Sequence, residues 1–140
     1  MNTSGIAISA LGSGLWRVSA TVGYKGGAKT GEATIRSDAS PAPAAPPHAG
    51  LALSLAWRGL GEDFLKAGAA QDAAACFRQG LIALGERYAR LDVADDTDQK
   101  IAAAEELIEQ GRLGDGAALL GRMLATRQTL YRDRYAGELK

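Results

Sequence analysis

Apolar and polar side chains alternate along part of the first third of the chain. In residues 16–25 every second side chain is apolar or aromatic, and the residues between them are polar, basic or small. A period of two over such a stretch, with β-branched and aromatic side chains, predicts a half-buried β-strand. Residues 26–31 then supply a glycine-rich turn, and residues 32–36 can return as a second, shorter strand. The pattern therefore predicts a short N-terminal β-hairpin arm within residues 1–36.

A helix is the alternative interpretation of the same region. Gly12 and Gly14 argue against it, because each lowers the stability of a helix by about 1 kcal/mol. We favour the hairpin; since an isolated hairpin is only marginally stable in water, we expect the arm to dock on its own helices or on another copy. The apolar residues that recur at the helical spacing of three and four are Ile8, Leu11, Leu15, Val18 and Val22.

The composition changes twice after the arm. All four prolines fall within residues 37–49, which predicts an extended linker of polyproline character. Residues 50–140 are rich in Ala, Leu, Glu and Arg, a helix-forming composition. Short connections between successive helices imply two antiparallel helical hairpins, so the predicted fold class is mainly α. The four predicted helices cover about residues 51–66, 71–91, 97–110 and 115–135.

Two glycines and an acidic residue mark predicted helix ends. Gly68 and Gly111 stand where a helix ends and where a residue with positive φ is favoured. Asp95 or Asp96 can accept hydrogen bonds from the first free N–H groups of the third helix. These signals set the expected turn inside each helical hairpin and the start of the second hairpin.

The first helical hairpin, over residues 54–87, has a set of aromatic, small and apolar residues at regular spacing: Trp57, Leu60, Gly61, Phe64, Gly68, Ala73 and Phe77. In type and spacing these residues resemble the tetratricopeptide (TPR) repeat. Gly61 and Ala73 are small, which lets two helix backbones approach closely. A second, degenerate hairpin extends to about residue 135, and a generic four-helix bundle is the alternative. Gly80 and Gly85 depart from the family pattern, which has alanine and proline there.

The resemblance also implies a binding surface. In repeats of this family the first helix of each pair lines the concave surface, so Arg58, Glu62 and Lys66 are candidate partner contacts. Their spacing also fits a solvated stripe of salt bridges, which is the alternative. Two hairpins are fewer than the about three repeats that a solenoid needs for independent stability. The arm, a second copy or a different protein must therefore cover the open ends.

Several features favour another copy of the chain as the partner. Residues 92–109 contain seven acidic residues and one lysine, whereas residues 112–140 contain six basic and three acidic residues. Opposite charges on one module can orient a head-to-tail contact, which gives an open filament if it does not close. A donated arm would add a strand to a neighbour. The candidate contact residues in the arm are Trp16, Val18, Val22 and Tyr24.

Composition excludes several classes of function. Sixteen basic side chains balance sixteen acidic ones, so the chain has no general attraction for nucleic acid or an anionic membrane. No apolar run approaches the about 20 residues of a membrane-spanning helix. The single cysteine, Cys76, excludes an internal disulfide, and the single histidine, His48, excludes a histidine-rich metal site. A nucleophilic Cys76 would need a base, and His48 lies in the predicted linker, so we expect no catalytic residue; we also expect no cofactor. The lack of a convincing signal peptide favours the cytoplasm, and a surface or extracellular assembly is the alternative.

Two other short motifs suggest different functions. Residues 23–30 differ from the phosphate-binding loop G-x-x-x-x-G-K-[ST] at one position, where Ala28 replaces a glycine. A strand rather than a helix is predicted to follow, so we favour a hairpin turn over a nucleotide-binding enzyme. Residues 6–25 resemble the start of flagellar rod and hook proteins but lack that family's asparagines. This second resemblance implies a flagellar axial-type component.

The sequence thus predicts a non-enzymatic protein–protein interaction module. The favoured function is a self-assembling structural or scaffold subunit that uses its N-terminal arm and its open helical ends. The alternative function is a monomeric TPR-like adaptor that binds a peptide of another protein.

Overall fold

Three strands precede four helices along the chain in a computed structural model, which describes residues 2–24, 27–36, 48–89 and 96–139. The fold is mainly α, with a three-stranded antiparallel sheet at its N-terminal end. The elements are β1 (Asn2–Gly12), β2 (Leu15–Tyr24), β3 (Gly27–Arg36), α1 (Ala49–Lys66), α2 (Ala70–Ala89), α3 (Thr97–Glu109) and α4 (Leu113–Arg134).

The sheet has one strand more than the predicted hairpin. β2 lies in the middle, with β1 and β3 antiparallel to it on either side. Gly12 and Gly14 lie at the β1–β2 turn, where their φ angles of 85° and 75° suit residues without a side chain. The helical interpretation of residues 8–22 is therefore wrong, since the glycines that would weaken a helix here form a turn between strands.

The sheet packs on the helices of its own chain. Along β2, Val18, Ala20 and Val22 are buried, and α1 packs against both β2 and β3. Gly31 of β3 approaches α1 so closely that an added Cβ would lie 2.1 Å from the backbone oxygen of Ala52. The absence of a side chain at Gly31 therefore allows the sheet to lie directly on the α1 backbone.

Phe77 of α2 lies where three helices meet. An added Cβ on Gly61 of α1 would lie 2.6 Å from the Phe77 ring, and one on Gly121 of α4 would lie 2.9 Å from it. α3 packs on α4, where an added Cβ on Gly116 would lie 2.5 Å from the Ile108 side chain. Small residues on α1 and α4 thus give the aromatic ring its space, and the ring joins α1, α2 and α4 in one core.

The helix boundaries agree closely with the predicted ones. Gly68 and Gly111 take φ angles of 79° and 84° at the ends of α1 and α3. Asp96 is the residue before α3, but its side chain makes no capping hydrogen bond, so the predicted cap is wrong in that respect. The other candidate cap, Asp95, and most of the proline-rich linker, residues 37–47, lie outside the described residues.

His48 does not belong to an exposed linker, as the sequence had suggested. It immediately precedes α1 and is buried, with its Nδ1 2.5 Å from the Tyr131 hydroxyl and its Nε2 3.3 Å from Glu138 Oε1. The backbone oxygen of Glu138 also accepts a hydrogen bond from the Arg36 N–H, at 2.8 Å. Glu138 therefore contacts both the last residue of β3 and the residue that precedes α1. No local pattern predicts this contact, because its partners are far apart along the chain.

Candidate functional site: an open sheet edge

β1 forms one outer edge of the sheet. It pairs with β2 on one side, and no other strand of the described residues pairs with it on the other side. From Ile6 to Ala10 the pairing with β2 is regular, and irregularities follow on both sides of that stretch. The outward N–H and C=O groups of such a strand can pair with a strand from another chain.

The composition of β1 does not protect this edge. The first sixteen residues contain no charged residue and no proline, the two kinds of residue that commonly prevent unwanted pairing of edge strands. Two large apolar side chains in this strand are exposed: Ile6 by 46% and Leu11 by 43%. An uncharged edge with exposed aliphatic side chains is typical of a surface that binds another strand.

The helices cover β1 less completely than they cover β2. Ile6 is paired with Ala20 and Ile8 with Val18, so these four side chains share one face of the sheet. Ala20 and Val18 are buried under the helices, whereas Ile8 is half-buried and Ile6 is exposed. An apolar strip therefore runs along β1 on the helical side of the sheet. We call this strip, together with the free backbone edge, the open edge.

The opposite edge, on β3, is partly occupied. Leu139 forms an antiparallel bridge with Ile35, beside the hydrogen bond between Arg36 and Glu138. The two edges of the sheet thus differ, because a strand added at the Ile35 end of β3 would meet Glu138 and Leu139. A cavity of about 440 Å³ lies next to this bridge and is lined by Glu32, Ala33, Thr34, Leu51, Arg132, Ala136 and Leu139.

The four predicted contact residues of the arm are all on β2. Val18 and Val22 are fully buried under α1, which removes them from any accessible surface of the folded chain. Trp16 is partly buried at one end of β2. The apolar face of β2 is therefore a core face, and the exposed large aliphatic side chains of the described sheet lie on β1, where the sequence analysis named no contact residue.

Tyr24, the last residue of β2, contacts two helices. Its hydroxyl donates a hydrogen bond to Asp72 Oδ1 at 3.3 Å, and its ring meets Phe64 edge-on at 4.8 Å. The negative charge of Asp72 raises the pKa of the Tyr24 hydroxyl. Tyr24 is thus a contact between the sheet, α1 and α2 within one chain.

The predicted stripe on α1 divides into two parts. Arg58 donates a hydrogen bond to Gln128 Oε1 of α4 at 2.5 Å, and its Nε lies 3.2 Å from Glu62. Gln128 in turn donates to Ser54 Oγ at 3.1 Å, inside the interface between α1 and α4. Arg58 therefore takes part in a polar network that joins the two helices, whereas Glu62 and Lys66 are exposed.

The sequence predicts that opposite charges meet between two copies of the chain. Some of these charges instead form ion pairs within one chain. Arg78 of α2 holds Glu105 of α3 through two hydrogen bonds of 2.7 and 2.8 Å. This contact lowers the pKa of the Glu105 carboxyl and raises that of Arg78. Arg127 of α4 likewise contacts Asp98 of α3. Because Asp98 and Glu105 have partners within the chain, α3 offers less negative charge for a head-to-tail contact; Asp92 and Asp95 lie outside the described residues.

The glycine-rich segment that resembles a phosphate-binding loop joins two strands. Lys29 belongs to β3, and its Nζ lies 2.9 Å from Asp63 Oδ2 of α1. Residues 25 and 26, which separate β2 from β3 along the chain, lie outside the described residues. The lysine thus contributes to the docking of β3 on α1. Within the described ranges, no three residues of the kinds that ligate metals come together.

Cys76 is enclosed beneath the sheet, in the cluster that contains Val22, Trp57 and Leu60. Burial, with a smaller contribution from Asp72, raises the pKa of its thiol to about 11. We expect an aromatic disulfide reagent at pH 8 to modify Cys76 about a hundredfold more slowly in the folded chain than in urea. Equal rates measured by thiol-release absorbance would contradict this burial.

The same thiol makes stability depend on alkaline pH. Because the folded pKa lies above the unfolded value of about 8.5, the unfolded chain loses this proton first as the pH rises. The stabilising contribution is therefore complete below that value and is lost between about pH 8.5 and 11. Urea unfolding of the Cys76→Ala variant should show a smaller loss of stability across this window than the parent chain.

Comparison with known proteins adds no relative. No family model, curated protein or solved structure matches the chain. None of the described helices is long and apolar enough to cross a membrane. The functional conclusion therefore depends on the sequence and on the geometry of the open edge.

Proposed function

We propose that this protein is a non-enzymatic, self-associating structural subunit that binds another copy of itself through the open edge. The observation that carries the proposal is the β1 strand, which has no charged residue and exposes Ile6 and Leu11 beside a free backbone edge. Strand addition at such an edge supplies backbone hydrogen bonds for affinity and alternate side chains for specificity.

We also propose that the helices form two TPR-like hairpins, α1 with α2 and α3 with α4. The close contact of Gly61 with Phe77 supports this, as do the positive φ angles of Gly68 and Gly111. By the resemblance, α1 would line the concave binding surface, but the sheet packs along α1. This arrangement favours association through the sheet over an adaptor that holds a foreign peptide against α1.

The burial of the single histidine, His48, and of the single cysteine, Cys76, supports a non-enzymatic role. His48 is 1% exposed and contacts Tyr131 and Glu138, so its ring nitrogens have structural partners. Cys76 is fully buried, and its raised pKa keeps the thiol protonated. A nucleophile or general base must reach its substrate, whereas both of these groups are enclosed.

The test is the mass of the full-length chain by light scattering across a hundredfold range of concentration. We expect a mass above that of one chain, rising with concentration until association is complete. The double variant Ile6→Lys/Leu11→Lys should remain a single chain at concentrations where the parent associates, because lysines on an edge strand oppose pairing.

The matched control is Ile82→Lys, which replaces an exposed isoleucine on α2 and should associate like the parent chain. A parent mass of one chain at every concentration would refute the proposal. An equal loss of association in the control would also refute it, because the effect would then not depend on the open edge.

A further inference from the structure

We infer that the association is a closed dimer in which the β1 strands of two copies pair antiparallel across a two-fold axis, giving one six-stranded sheet. This inference rests on the proposed self-association and specifies the partner strand and the symmetry. It replaces the open filament expected from the charge distribution with an assembly of two chains.

The two edges of the sheet favour this symmetry. In a head-to-tail filament, β1 of one copy would have to pair with β3 of the next. At β3, however, Glu138 and Leu139 already lie against Arg36 and Ile35. Unless it displaced them, an incoming strand could pair only with the part of β3 that precedes Ile35, whereas no strand lies along the outer side of β1 among the described residues. Each copy thus offers β1 as its open edge, and a contact between identical edges closes after two copies.

The sequence of β1 is compatible with pairing to itself. In its regular stretch, Ile6, Ile8 and Ala10 lie on the helical face, and Ala7 and Ser9 lie on the outer face. If the two-fold axis passes near Ile8, opposite positions share a face, so aliphatic side chains meet on one side and small side chains on the other. No charge on either strand opposes the contact, because the first charged residue of the chain is Arg17.

The exposed apolar strip gives the dimer a hydrophobic contribution. A two-fold axis perpendicular to the sheet leaves both helical layers on the same side of the six-stranded sheet. The strips that contain Ile6 and Ile8 then face each other in the cleft between the two layers. Side chains that are exposed or half-buried in one copy become covered by their equivalents, which adds apolar burial to the backbone hydrogen bonds of the strand pair.

Charge exchange at Ala7 tests the symmetry. Ala7 is exposed on the outer face, and in the dimer its two copies lie close to the two-fold axis. Ala7→Lys alone and Ala7→Glu alone should each weaken dimerisation, by about two- to threefold, because the two like charges then lie diagonally across the paired strands on the same face of the sheet. An equimolar mixture should restore a mass of two chains, and native mass spectrometry should show one copy of each variant per dimer.

The outcomes separate this inference from the proposed function. Growth of the parent chain beyond two copies, or full association of each single Ala7 variant, would overturn the closed dimer and leave self-association standing. A constant mass of one chain would overturn both. Circular dichroism must show that the variants are folded, and Ile82→Lys, which adds the same charge on α2, should stay dimeric.

Discussion

Replacing Gly31 with alanine is expected to lower the free energy of unfolding by about 3 kcal/mol or more and to separate the sheet from the helices. The added Cβ would lie 2.1 Å from the backbone oxygen of Ala52 and 2.6 Å from the backbone nitrogen of Ala56. Both atoms belong to the α1 backbone and cannot rotate away as a side chain can. The strand must therefore move off the helix, with loss of the apolar contacts on either side.

Urea unfolding followed by circular dichroism and tryptophan fluorescence measures this effect, since Trp16 reports on the sheet and Trp57 on α1. Gly27→Ala is the matched control in the same strand, because its added Cβ would meet its nearest heavy atom at 4.0 Å, an ordinary contact. We expect the control to change stability by less than about 0.5 kcal/mol. Equal stability of the two variants would show that β3 does not lie on α1 in the described way.

Phe77→Ala is expected to lower the free energy of unfolding by about 3–5 kcal/mol, the range for removal of a buried aromatic ring. The ring is 1% exposed and lies between Gly61 and Gly121. Glycines have no side chains with which to fill the space that the ring leaves. The cavity between α1, α2 and α4 can therefore close only if the helices themselves move.

Thermal and urea unfolding give the measurement, and Ile82→Ala on the same helix is the control. Ile82 is 70% exposed, so its truncation should have an effect within about 0.5 kcal/mol. A loss below about 1 kcal/mol for Phe77→Ala would mean that the ring is not the common contact of three helices. A large loss for both variants would point instead to a general weakness of α2.

The helices were predictable because their signals are local. Gly68 and Gly111 mark the turns, and the apolar spacing on each side extends over several helical turns. β1 has no such pattern, since most of its residues are small and its partners are supplied by β2. The extended conformation of β1 depends on its pairing with β2, and the periodicity of a single segment carries no information about such a partner.

The sequence predicted a strand with one apolar face, but not which part of the sheet the folded chain leaves exposed. The alternation from Trp16 to Tyr24 correctly indicated a strand with one apolar face. The sequence could not tell whether that face meets a partner or the chain's own helices, and Val18 and Val22 prove to be buried under α1. The open edge is set by which strand lies outermost. The contacts of His48 are likewise non-local, with partners more than eighty positions away.

The contact between Ile35 and Leu139 also has a kinetic consequence. These residues are more than a hundred positions apart, so their bridge closes a very long loop of chain. Contacts of such sequence separation carry a high loop-closure entropy and slow the folding reactions that depend on them. Until Leu139 reaches β3, a sheet that has already formed exposes both of its outer strands. During that interval both outer strands of the sheet are accessible to another strand, and the arrival of Leu139 then covers the Ile35 end of β3.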